Sequence, residues 1–264
     1  MSEEIALSAG RGNEGRVVRV GDTVRRPAGP WTRNVHAFLV HVRASGFDGC
    51  PEPLGFDDEG REVMSFIPGE VVMDPDWDGG PTRWPPHVRT DETLARIGAS
   101  IRALHDAAVG FVPVEPRGWR QYRHALAPGQ IVCHADIGYW NTVHRPDGSI
   151  AYIDWDTIRP DDPMLNLADA AWTFVPLADE DYLIGTGWEE PPDIANRLRV
   201  FCDAYGVADA AAVVSALHRA KEREPERFAW WPIGPAVAAE RFDDLARQLR
   251  WLDANAAGLT RALE

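Results

Sequence analysis

Asp147-Gly148 lies midway in the stretch from Asn141 to Asp154. It is the strongest two-residue hairpin signal in the chain, because Gly takes positive φ freely and Asp tolerates it better than most residues. Counting back from that turn sets Asn141 opposite Asp154, and a longer loop forced by Pro146 with the same centre would keep the pairing. A carboxamide and a carboxylate facing each other at cross-strand spacing can share one hard cation. Asp136 lies five residues before Asn141, so three oxygen-bearing side chains are expected around one short hairpin.

The rest of the chain is compatible with a folded, soluble host for such a site. Its 264 residues suit one large domain or two small lobes, and 45% hydrophobic with 26% charged residues argues against disorder. A net charge of −14 disfavours nucleic acid as a partner. It would suit a cationic small substrate, or solubility alone. Cys50, Cys133 and Cys202 are too few and too scattered for a disulfide framework or a zinc site. The start Met-Ser-Glu-Glu lacks the basic residues and apolar run of a signal peptide, and no apolar stretch approaches a membrane span. A cytoplasmic protein with no membrane partner is expected.

Periodicity divides the chain into a β-rich beginning and a helical remainder. Strands are expected over 16–20 and 23–26 around Gly21-Asp22, and over 52–56 and 62–66. Between them Val35, Phe38, Leu39 and Val42 recur at i, i+3, i+4, i+7, which predicts an amphipathic helix ending near Gly46. Pro68-Gly69 marks the boundary between a lobe at 1–68 and a larger one at 69–264. Residues 71–89 read as a loop, after which Thr90 is placed to cap a helix with Leu94, Ile97, Ile101 and Leu104 on its buried face. Three further helical stripes follow: Ile194, Leu198, Phe201 and Tyr205; Val213, Val214 and Leu217; and Phe242, Leu245, Leu249 and Leu252.

Phosphoryl transfer needs a group to take or orient the proton of the incoming hydroxyl, ligands for a metal–nucleotide complex, and a cover for the phosphates. Asp136 is the candidate base, and Asn141 with Asp154 the candidate Mg²⁺ ligands. His134 is read as bracing the loop by hydrogen bonding. Asp156 is read as reaching the metal or, equally, as solvated or standing behind the metal's ligands. Gly10, Gly12 and Gly15 in Gly10-Arg-Gly12-Asn-Glu-Gly15-Arg-Val17 fit a backbone cover over phosphates. Their place before a hairpin favours a kinase-type loop over a dinucleotide fingerprint.

With these residues in view, the segment 131–169 resembles the aminoglycoside phosphotransferase and choline kinase-like family of small-molecule kinases. The likeness rests on His134-x-Asp136-x-x-x-x-Asn141, on Ile153-Asp154-Trp155-Asp156, and on Asp162-Pro163 with Leu167-Ala168. It implies an α+β, protein kinase-like two-lobe fold, with a small antiparallel sheet lobe and a larger helical lobe around the active site. It further implies ATP- or GTP-dependent transfer of a γ-phosphoryl group to a small-molecule hydroxyl, with Asp136 as catalytic base and Asn141 and Asp154 as Mg²⁺ ligands. The hinge, Ser65 to Glu70, would pair with the nucleotide base through its backbone, Ser65 and Ile67 included.

Three departures from the family pattern bear on activity. Arg26, with Arg25 as rival, stands where a basic strand residue should hold phosphates. The first helix offers no Glu to anchor it and leaves His36 nearest, and Asn166 replaces an Asp expected to brace the catalytic loop. They motivate an alternative: a weak or inactive relative acting by binding, in an immunity or regulatory role. Asp74-Pro-Asp76-Trp-Asp78-Gly79 opens like a calcium loop, but Pro85 stands where its Glu is needed. Trp119, Trp140 and Trp155 could wall a pocket for a cationic substrate or simply pack. The acidic runs at 179–181 and 189–190 are read first as solvated surface.

Overall fold

The computed structural model describes residues 3–7, 16–72, 82–225 and 235–264. Gly10, Gly12, Gly15 and the 74–79 segment lie outside them. The chain divides into two compact units: Met1–Val71 with Leu104–Asp136 and Asn141–Pro160, and Val72–Ala103 with Ile137–Trp140 and Asp161–Glu264. The architecture is α+β.

The first unit is built on an antiparallel sheet of β1 (Glu4–Ala6), β2 (Val18–Val20), β3 (Thr23–Pro27), β4 (Pro53–Phe56) and β5 (Arg61–Ser65), in the order β1-β2-β3-β5-β4. The helix α1 (Thr32–Ala44) follows β3 and buries the four residues that its periodicity singles out, Val35, Phe38, Leu39 and Val42. Phe38 meets the rings of Phe111 and Trp155 at 5.2 and 6.0 Å, so helix, loop and catalytic segment share one core. The fully buried Asn34 fastens the 115–118 loop to α1. Its Nδ2 donates to the carbonyls of Glu115 and Gly118, and its Oδ1 accepts the Glu115 N–H. β1 and β6 (Glu70–Val71) were not anticipated, nor were the strands at Ile131–Cys133 and Arg159–Asp161; β6 pairs with the hairpin that follows Asn141.

In the second unit residues 91–103 of α2 (Asp91–Ala108) begin at the expected cap, the Thr93 N–H donating to Thr90 Oγ1 at 3.1 Å. Leu94, Ile97 and Ile101 are buried as predicted. The unit's other strongly placed helix, α3 (Pro163–Phe174), opens on Asp162, whose carboxylate accepts the Met164 N–H. Beyond it come α4 (Glu180–Gly185), α5 (Ile194–Tyr205), α6 (Ala210–Glu222) and α7 (Pro235–Leu263). Asp179, Asp193 and Asp209 cap α4, α5 and α6 in the same way.

The C-terminal stripe differs from expectation. Leu245 and Leu252 are buried, but Phe242 is 47% exposed, so the packed face of α7 starts one turn later than the periodicity suggests. On α5, Ile194 is half-buried and the buried first turn is completed by Arg197, which donates to Asp91 and to the Arg89 and Phe174 carbonyls. Among the described residues no single helix is long and apolar enough to cross a membrane.

Candidate active site

The segment that carries the candidate residues starts at β7 (Ile131–Cys133) and runs through β8 (Thr142–His144) and β9 (Ile150–Tyr152). The β8–β9 hairpin forms, but its register corrects the sequence expectation. Thr142 pairs with Tyr152, Val143 with Ala151 and His144 with Ile150, and the Ile153 N–H donates to the Asn141 carbonyl at 2.9 Å. Asn141 therefore faces Ile153, not Asp154. Pro146 is the physical reason. With Arg145 and Gly148 closed by the Gly148 N–H to Arg145 carbonyl bond, Pro146 takes the second turn position that its fixed φ suits. Gly148 follows at φ 81°, and the Arg145 N–H closes on the Ser149 carbonyl. This is a three-residue loop with a glycine bulge, centred half a residue earlier than a two-residue turn.

Asp136 and Asn141 are brought together. The Asn141 Nδ2 donates to the Asp136 carbonyl at 2.8 Å and to its Oδ2 at 3.0 Å. The loop that carries Asp136 is braced by His134, which is fully buried. Its Nε2 lies 2.9 Å from the Ile153 carbonyl and its Nδ1 accepts the Asp136 N–H at 3.2 Å. Those partners require a neutral ring with the proton on Nε2, since an acceptor at Nδ1 must keep its lone pair. Burial lowers the His134 pKa and supports the same state. His134 thus ties the Asp136 turn to the strand end before Asp154.

Asp154 has φ 59° and ψ 60°, and is the one non-glycine with positive φ among the described residues. Its side chain is 41% exposed and its Oδ1 accepts from Arg26 at 2.8 Å. No hydrogen bond joins Asn141 to Asp154 among the described residues.

Arg26 and Arg25 turn to opposite faces of β3: Arg26 is 8% exposed, whereas Arg25 lies 3.6 Å from Asp57. The doubt about the Arg26 anchor is overturned. Glu62 stands directly across the sheet on β5 and accepts from Arg26 Nε at 2.5 Å. The other Glu62 oxygen lies 3.1 Å from His36 Nε2. The anchoring carboxylate thus comes from the neighbouring strand, and His36 holds that carboxylate instead of the arginine. Its sequence signal was an acidic residue at a strand position in phase with the buried Met64.

Arg26 NH2 donates to Asp156 at 2.6 Å, and Arg120, which sequence reasoning did not single out, donates to the other Asp156 oxygen at 2.9 Å. Burial opposes charge on Arg26, but Asp156, Glu62 and Asp154 outweigh it and raise its pKa. For Asp156 burial is the largest influence and pushes the carboxyl up, with Arg26 and Arg120 pulling it back. Asp156 is 4% exposed, which rules out the solvated placement.

The hinge residues are partly engaged. The Ser65 N–H donates to the Glu52 carbonyl and the Phe66 N–H to the Asp22 carbonyl, while Ser65 Oγ accepts the Glu52 N–H. Among the described residues no hydrogen bond uses the Ile67 backbone. Trp119 and Trp155 are buried packing residues, with indole N–H groups on the His124 and Tyr152 carbonyls; Trp140 is 45% exposed. Asn166 is buried in α3. Asp179 caps α4 and accepts from Arg247, so that part of the acidic run is structural.

The donor chemistry fits a hard cation. Asn141 commits its Nδ2 to Asp136, which turns its carbonyl oxygen into the atom left for a metal. Asp154 keeps Oδ2 beyond its bond to Arg26. Two protein oxygens with water and phosphate completing the shell is the usual Mg²⁺ arrangement. Among the described residues no group of three or more His, Cys, Asp or Glu side chains is arranged for a metal, so the carboxamide is needed.

A sheet unit, the hairpin that follows Asn141 and a helical unit make up a kinase-like fold. The chain is similar to an ethanolamine kinase of Plasmodium vivax, with 12% identity, TM-score 0.55 and coverage of 100% of this chain and 84% of that one. It is similar also to an aminoglycoside phosphotransferase of Alicyclobacillus acidocaldarius, with 14% identity, TM-score 0.54 and coverage of 100% and 92%. A spectinomycin phosphotransferase solved with ADP and spectinomycin matches with 12% identity, TM-score 0.52 and coverage of 99% and 93%. No protein-family model matches the chain. The chain belongs to the family of the trifolitoxin immunity protein of Rhizobium leguminosarum bv. trifolii. The two are 34% identical over 212 residues, 79% of this chain and 76% of that protein.

Proposed function

We propose that this protein is a cytoplasmic phosphotransferase that moves the γ-phosphoryl group of ATP or GTP to a hydroxyl of a small molecule. The observation that carries the reading is the Asp136–Asn141 pair, with one side chain donating and the other accepting at 3.0 Å. The amide turns the Asp136 carboxylate into a fixed acceptor while presenting its own oxygen to a cation. Asp136 would take the proton of the acceptor hydroxyl as its oxygen bonds to the γ-phosphorus. The bond from that phosphorus to the bridging oxygen breaks, and a nucleoside diphosphate leaves. Asn141 and Asp154 would hold Mg²⁺, which when bound offsets the charge of the phosphate oxygens. Arg26 adds positive charge beside Asp154, the Gly10–Gly15 segment would cover the phosphates, and the Ser65–Ile67 backbone would meet the nucleotide base. Positioning and charge supply the rate.

A second reading has its own support. The relative is named for immunity to trifolitoxin, and Arg26 has all three nitrogens engaged by carboxylates. A protein that protects by binding a toxic molecule, without turnover, would tolerate both. One assay separates the readings: a screen of hydroxyl compounds with labelled nucleotide and Mg²⁺, blanked with Asp136→Asn. An enzyme should lose about 10²–10⁴ in turnover in that variant while nucleotide affinity persists. Equal turnover in both proteins would remove Asp136 as the base. The absence of any Mg²⁺-nucleotide thermal shift in the wild type would favour the binder.

A further inference from the structure

Arg26 is the residue that the sequence assigns to the phosphates, yet each of its three nitrogens already donates to a carboxylate. Its Nε is on Glu62, one NH group on Asp154 and the other on Asp156, and the residue is 8% exposed. A guanidinium spread over three carboxylates already has its charge compensated and its fork occupied. A nucleotide phosphate approaching it would have to displace a buried carboxylate, leaving that group unpaired.

Arg120 is differently placed. It sits on the other oxygen of Asp156 through a single bond of 2.9 Å, and its side chain is 27% exposed. Among the described residues it makes no other hydrogen bond, so most of its five donors have no protein partner. Its guanidinium lies 4.9 Å from the centre of the Trp31 ring. Stacking and one charged bond fix the plane of the fork before any ligand arrives, which lowers the ordering cost of binding.

We propose that Arg120, not Arg26, supplies the hydrogen bonds that hold the phosphates of a nucleoside triphosphate, and that Arg26 is the buried tie fixing Asp154 and Asp156. The inference rests on the phosphotransferase reading. Asp156 then works as the link that sets the two guanidinium groups at a constant separation.

The test compares ATP and adenosine binding by calorimetry, with Mg²⁺, in the full-length wild type, Arg120→Gln and Arg120→Lys. Arg120→Gln should weaken ATP by about 10–100-fold, the scale of a lost charged hydrogen-bonding group, and leave adenosine affinity unchanged. Arg120→Lys keeps Asp156 paired and should fall between the two, which covers the case in which the Gln variant folds poorly. Equal ATP affinity in the wild type and Arg120→Lys, or a parallel loss of ATP and adenosine affinity in the variants, overturns the assignment of Arg120 alone. A wild type that binds neither ligand overturns the phosphotransferase reading and this inference with it.

Discussion

Glu62→Ala is the sharpest structural test of the site. The carboxylate is 1% exposed, with one oxygen on Arg26 Nε and the other 3.1 Å from His36 Nε2. Removing one partner from a buried ion pair costs about 3–5 kcal/mol. Arg26 keeps Asp154 and Asp156, which sets the expected loss at the lower end, about 3 kcal/mol. For a chain of this size each kcal/mol moves the melting midpoint by about 2–4 °C, so the midpoint should fall by about 6–12 °C. Glu62→Gln retains an acceptor for Arg26 but loses the charge, and should cost about 1.5–3 kcal/mol. Thermal unfolding followed by circular dichroism measures both. The control is Glu92→Ala, from a solvent-facing pair with Arg96 whose side chains are 75% and 47% exposed; it should move the midpoint by no more than about 1–2 °C. A Glu62→Ala midpoint indistinguishable from that control would refute the claim that β5 anchors Arg26.

Two other outcomes follow from the geometry. His134 has a folded pKa depressed by burial, so its contribution to stability is complete above about pH 6.5 and is lost as pH falls through the folded value. Wild-type stability should therefore decline more steeply from about pH 7 to about pH 5 than that of His134→Asn, and parallel urea-denaturation curves would refute the neutral brace. At Gly98 an added Cβ would meet the Phe201 carbonyl oxygen at 2.6 Å, where α2 and α5 touch. Gly98→Ala should destabilise by about 1–3 kcal/mol despite its higher helix propensity, and a rise in denaturation midpoint would show that the helices can part freely.

Much of the fold could be read from spacing alone, because burial on one side leaves a direct trace in the sequence. The α1 and α2 faces behave as their periodicity requires, and the Gly21-Asp22 turn joins Val20 to Thr23. Phe242 misled because the 3.6-residue repeat reports which face is apolar, not where its packing partner begins. The hairpin register failed by one residue because two turn types share the Pro-Asp-Gly signal, and Pro146 decides between them.

The closeness of Asp136 and Asn141 was legible because a short segment holds both, whereas the expected pairing of Asn141 with Asp154 was not met. Glu62 and Arg120 lie far from that segment in sequence. Their roles come from cross-strand register, of which the only trace at Glu62 is its phase with the buried Met64, and from the 109–130 connection folding back on Asp156. Arg120 had no sequence signal of any kind.

The left-handed backbone at Asp154 limits which residues can stand there. Asn tolerates that conformation nearly as well as Asp, and Gly better, whereas β-branched or bulky replacements would strain the turn. A single change to Asn could therefore remove the negative charge while leaving the chain folded. Side-chain charge and backbone geometry are separable at this one position.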